Sequence, residues 1–233
     1  MTWPIEHFHY VPAPSSIIEM MPGAMKIMTQ CAAVQPGENV VIACDTNKLR
    51  LAEVLAAAAY AVGGMPTIVM FPPTGAHGAQ VPKPVVGACA RSDVFFLPTS
   101  WSMTHTDARI EATRNGARGS TMCEVTEDCL CAGGILGDYE EADRLGRAIG
   151  AKLAKAAAIR MTSSGGTDLR ASIASRPVQY ETGIFRAPGS FAALPDSEVN
   201  ISPVEGSAEG VIVGNVRLMG HGVIRGRSRS PSR

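Results

Sequence analysis

Five histidines and six cysteines are the side chains of this 233-residue chain best suited to hold a metal or move a proton. His105 has the most telling position among them. It stands in SWSMTHTDAR, directly after the apolar run DVFFLPTS, and the carboxyl ends of parallel strands are where open α/β sheets place their ligands. The same position also suits a residue that simply leads into the next helix between Thr104 and Thr106. His77 lies in TGAHGAQ, a Gly-punctuated loop where a lid residue would sit, with no chemistry assignable to it. His7 and His9 flank Phe8 in alternation and read as surface or interface residues. Cys129 and Cys131 are two apart with Cys123 nearby, whereas close zinc ligands are separated by about two to four residues. With no CxxC pair, the cysteines read as free thiols in a reducing compartment. Gly63-Gly64 and Gly133-Gly134 lack the spacing of a phosphate loop and read as turns.

The elements that must position these groups follow from periodicity. ENVVIACD is an apolar run of strand length, Thr46 to Val62 is Ala- and Leu-rich and stops at Gly63-Gly64, and MPTIVMF is a second apolar run. Strand, helix, strand is the unit of a parallel sheet. A further round follows in VPKPVVGACAR as helix, DVFFLPTS as buried strand, THTDARIEATRNGA as helix and STMCEV as strand. Residues Tyr139 to Ala158 have helical spacing, and from IRMTSSGG onward the pattern changes to short β-like runs. The expected fold is therefore α/β, an N-terminal parallel sheet flanked by helices over residues 1–160. A smaller, incomplete β-rich domain is expected over 161–226, and 227–233 form an Arg/Ser tail.

Composition narrows the partners. Lys+Arg and Asp+Glu are both 21, a formal net charge of zero that steers the chain toward neither nucleic acid nor an anionic membrane. The apolar stretches break within about ten residues, half of a membrane span. Without a signal-peptide pattern the chain is expected to be cytoplasmic, with a small molecule or short peptide as its substrate.

The most specific pattern lies in the last third, where SSGGTDLRASI is followed by LPDSEVNISPVEGSAEGVIVGN. Gly166, Thr167, Asp168 and Leu169 match one element, Leu194, Pro195, Asp196, Glu198, Val199 and Pro203 a second, and Glu205, Gly206, Glu209 and Gly210 a third. Together they resemble the superfamily that joins the M29 metallo-aminopeptidases, or aminopeptidase T, to the 2,5-dihydroxypyridine 5,6-dioxygenases. Upstream, THTDARIEATRNGARG occupies the place of that family's helix and its G-[AT]-R strand start.

The resemblance implies a divalent metal: Zn, Co, Mn or Mg in the aminopeptidase branch, Fe(II) in the dioxygenase branch. Glu198 stands where the aminopeptidases have a carboxylate ligand, which favours a metal-dependent hydrolase of amide or peptide bonds. His105 stands at a pocket histidine of the dioxygenases, which favours ring cleavage. The family's remaining ligands, a His-x-Asp pair among them, have no counterpart here, since only His221 follows Glu198. A catalytically silent binding or structural subunit is thus a third reading. Asp168 suits an acid that orients a ligand from behind or a cap on its own turn. Arg176 and Arg186 suit guanidiniums that clasp a substrate carboxylate or ordinary surface residues. A domain interrupted in its β region would expose a strand edge, so the chain is expected to form a homo-oligomer.

Overall fold

The computed structural model describes residues 16–213 and the backbone of 217–218 and 222–223. His7, His9, His221 and the tail of 227–233 lie outside the described residues.

The alternation of apolar runs and helices becomes a five-stranded sheet in the order β2-β1-β3-β4-β8. Its strands are β1 (Asn39–Asp45), β2 (Met65–Phe71), β3 (Val94–Thr99), β4 (Arg118–Cys123) and β8 (Phe191–Ala193). Every pairing is parallel, with β1 and β2 in register from Asn39 opposite Met65 to Asp45 opposite Phe71. Buried on both faces, β1 and β3 need apolar side chains at successive positions, which is why they read as continuous runs. Val40, Ile42 and Phe96 pack on one side with α1 (Ile17–Lys26) and α2 (Leu49–Ala61). Val41, Ala43, Phe95 and Leu97 pack on the other with α3 (Lys83–Cys89) and α4 (Asp107–Arg114). The expected sheet with helices on both faces is present.

Local chemistry sets the helix limits. Ser16 and Glu19 form a reciprocal capping box at the start of α1, and Asn115-Gly116 close α4 with Gly116 at φ +92°. After α1 the chain widens into a π-helical turn, Ile27–Cys31. The carbonyls at and just past its end are met by arginine: Arg186 donates to Gln30, and Arg118 to Ala32 and Ala33. Such caps matter because the last carbonyls of a helix have no partner within it.

The chain forms two units. One unit runs to Asp143 and regains Glu181–Ser197, and the other comprises Arg144–Tyr180 and the chain from Glu198. The division falls inside the helix Tyr139–Leu153. The reason is β8, three residues that return to pair with β4. A run of three residues between Gly189 and Pro195 carries too little periodicity to be read as a strand.

The second unit is β-rich, as expected. β5 (Ala158–Thr162), β6 (Asp168–Ser172) and β10 (Glu209–Val211) form an antiparallel sheet in the order β10-β6-β5, and β7 (Val178–Glu181) lies beside β9 (Glu198–Ile201). No helix among the described residues is long and apolar enough to cross a membrane.

Candidate functional site

In the first unit the chain leaves β1 to one side for β2 and returns on its other side as β3, so the strand order reverses between β1 and β3. Open α/β sheets bind ligands at such a point, beyond the carboxyl ends of the strands. The last residue of β1 there is Asp45, only 1% exposed. Its Oδ1 accepts from the Asn47 backbone N–H at 3.0 Å and the Ser100 hydroxyl at 3.1 Å, and its Oδ2 from the Ser100 N–H. Asn47 Nδ2 donates in turn to Ser100 Oγ at 3.2 Å. One carboxylate thereby ties the loop after β1 to the loop after β3.

That second loop carries Trp101, Ser102 and His105. Thr99 Oγ1 donates to the Trp101 carbonyl at 2.7 Å, and Ser102 Oγ to Thr104 Oγ1 at 2.9 Å. His77 arrives from the β2–α3 loop. Its Nδ1 accepts the Ser102 N–H at 3.1 Å, its ring meets Trp101 edge-on at 5.0 Å, and Cys123 Sγ lies 3.9 Å away. Because Nδ1 is the acceptor, the neutral ring carries its proton on Nε2. The cluster brings together an imidazole, an indole face and hydroxyls above a carboxylate that is itself engaged by the two loops. Replacing Asp45 by Asn should cost about 2 kcal/mol of stability, because one oxygen acceptor becomes a donor facing the Ser100 or Asn47 N–H. Urea unfolding and acrylamide quenching of Trp101 in a Trp3→Phe background would measure both the loss and the loosened loop.

The residues singled out in the sequence are divided between the two units. His105 does lie beyond β3, exposed in the turn before α4, with no hydrogen-bond partner among the described residues. Glu198 opens β9 in the other unit, exposed, its Oε1 accepting from Asn200 Nδ2 at 2.8 Å. Asp168 is exposed and paired with Arg160 across β5 and β6 through bonds of 2.9 and 2.8 Å. Those hydrogen bonds hold its carboxyl below the usual range. Arg176 pairs with Glu205, while Arg186 pairs with Glu140 and donates to the Gln30 carbonyl at 2.7 Å. Both guanidiniums are thus engaged by carboxylates of the chain at its surface.

No described set of His, Cys, Asp and Glu has three members placed to hold a metal ion. Glu198 with its amide neighbour is a poor donor set for any of the expected ions, so the described residues do not fit a resident metal. Three of the six thiols, Cys31, Cys44 and Cys89, are buried. Burial pushes Cys31 and Cys89 up to about 12 and Cys44 to about 11, which keeps them protonated. Asp45 and Trp101 escaped the sequence reading. The one available signal was an acid ending an apolar run, Cys44-Asp45-Thr46-Asn47, at a strand end.

A family model described as NicX, 2,5-dihydroxypyridine 5,6-dioxygenase, matches residues 20–216. The chain belongs to that family. Among solved structures it resembles the 2,5-dihydroxypyridine dioxygenase of Pseudomonas putida KT2440, at 18% identity and a TM-score of 0.70 over 85% of this chain. It also resembles wild-type AmpT from Thermus thermophilus, at 14% identity and 0.57 over 84% of this chain. It spans 60% of the dioxygenase and 64% of AmpT. No curated protein matches. Both likenesses show that the chain shares the α/β fold of these proteins.

Proposed function

We propose that this chain provides the ring-binding part of a metal-dependent oxygenase acting on a small hydroxylated N-heterocycle. The match to the dioxygenase family over residues 20–216 carries the reading. The cluster at the strand-order reversal supports it, since His77 Nε2–H can donate to a ring hydroxyl or its oxyanion while Trp101 covers one face.

The alternative of a metal-dependent amide hydrolase rests on the place of Glu198 in the LPDSEV element. Its exposure and single amide partner leave that reading on sequence position alone. The deciding experiment supplies the chain with Fe(II) and 2,5-dihydroxypyridine under oxygen, and separately with Zn, Co or Mn and a leucyl amide. Oxygen uptake with loss of the ring chromophore supports the proposal; release of leucine replaces it with the hydrolase. Neither activity, with the heterocycle still quenching Trp101, leaves a catalytically silent binding subunit.

Metal affinity is a separate expectation. Calorimetric titration with Zn, Co, Mn and Fe(II) should show binding weaker than about 1 μM and unchanged in Glu198→Ala, since one carboxylate does not make a site. Stoichiometric submicromolar binding abolished by that substitution would contradict it.

A further inference from the structure

His77 reaches Ser102 and Cys123 by a path that the strand order makes informative. Its loop, residues 72–81, starts from β2 at one edge of the sheet, while Ser102 follows β3 and Cys123 ends β4. With β1 between β2 and β3, the loop must cross the end of β1, and with it the strand-order reversal. The crevice expected to take a ligand is therefore spanned by a strap of the chain itself.

The strap has few other attachments. Phe71 and Val81 at its two ends are buried, whereas Pro72, Pro73 and 75–78 are exposed. Three hydrogen bonds hold the middle: Ser102 N–H to His77 Nδ1 at 3.1 Å, Gly78 N–H to the Ser102 carbonyl at 2.9 Å, and Asp107 N–H to Gln80 Oε1 at 3.0 Å. Gly75 and Gly78 have φ of +80° and +76°, a region glycine enters without strain, so pivots flank the latch. Segments with little buried surface open locally at small cost.

We propose that residues 72–81 form a lid over the end of the parallel sheet and that His77 is its latch, closed by neutral imidazole and released by acid. Protonating Nδ1 sets an N–H against the Ser102 N–H, and both the bond and its reciprocal Gly78 partner are lost. Histidine is the side chain whose charge changes between about pH 5 and 8. The groups facing it are the Cys123 thiol and the Trp101 ring. Glu124, Lys48 and Asp45 act on that same thiol, and Asp107 stands at the Gln80 contact. Burial first, then Glu124 and Asp45, raise Cys123 against the opposing Lys48, so the thiol stays neutral and offers imidazolium no counter-charge. That the lid governs ligand access rests on the small-molecule reading above; the latch itself does not.

The test is amide exchange resolved by residue in NMR, on the full chain without metal or ligand, at pH about 7 and about 5, with each rate divided by its chemical rate at that pH. In the wild type the Ser102 and Gly78 amides should exchange about tenfold faster or more at the lower pH, while the Val41 and Ile42 amides stay protected. His77→Gln retains an acceptor that does not titrate, and its latch amides should be slow at both values. His77→Ala should be fast at both. Equal wild-type protection at the two values, an Ala variant as protected as wild type, or simultaneous loss at Val41 and Ile42 would each overturn the latch. Failure of the oxygenase assay alone would leave it standing.

Discussion

Replacing Arg118 by leucine should remove about 3 kcal/mol of stability, and roughly 10 °C of melting temperature in a chain of this length. The guanidinium is almost wholly enclosed and fully used. Nε donates to the Ala32 carbonyl at 2.8 Å and Nη2 to the Ala33 carbonyl at 3.2 Å, while the two terminal nitrogens grip Glu38 at 2.8 and 2.6 Å. One side chain thus binds the end of the π-helical turn, the loop before β1 and the start of β4. Losing one partner of a buried pair costs about 3–5 kcal/mol, and the lower figure applies because the Glu38 side chain keeps 22% of its exposure. Arg118→Lys should recover only part of the loss, because one ammonium cannot replace the bidentate grip.

The same pair sets an acid limit. Burial alone would raise the Glu38 carboxyl, but hydrogen bonds from Arg118 and the Gln35 N–H outweigh it and hold the group below its ordinary 4.5. A carboxyl lowered on folding stabilises the protein above its unfolded pKa and loses that contribution as pH falls through the folded one. Urea midpoints should therefore decline from about pH 5 downward in the wild type and less so in Glu38→Gln. Identical acid profiles would remove Glu38 from the account.

Gly119→Ala should be destabilising by about 3 kcal/mol, although alanine is ordinarily the better strand residue. A Cβ at Gly119 would lie 2.4 Å from the Phe95 carbonyl and 2.6 Å from two atoms of its ring. Phe95 opposes Gly119 on β3 and Phe191 opposes it on β8. The two rings stack with centroids 6.3 Å apart, and the Arg109 guanidinium lies 5.1 Å from the Phe191 ring centre. The glycine is the gap through which aromatic neighbours on both sides meet, an arrangement that protects its bare backbone. A methyl there must push a strand or a ring aside. Urea unfolding reads the loss, and faster amide exchange along β4 and β8 would locate it. A variant within about 0.5 kcal/mol of wild type would show that the rings have room to move.

Both residues belong to Gly116-Ala117-Arg118-Gly119, which the sequence marked as the start of a strand without showing what it does. The partners explain why: Ala32 and Glu38 lie some eighty positions upstream of Arg118, and Phe191 lies far downstream of Gly119. Contacts across such separations leave no periodicity in the chain.

The parallel sheet between its helices, the β-rich second unit and the family resemblance were legible in the chain alone, because buried strands demand continuous apolar runs and the Asp168 and Glu198 elements are compact local motifs. Only the tertiary structure decided that β8 returns to the first sheet, that Arg176 and Arg186 are engaged in ion pairs, and that Asp45, His77 and Trp101 meet where the strand order reverses. Strand order is a choice among distant pairings, and a hydrogen-bonding side chain acquires its role from whatever that choice brings within 3 Å of it.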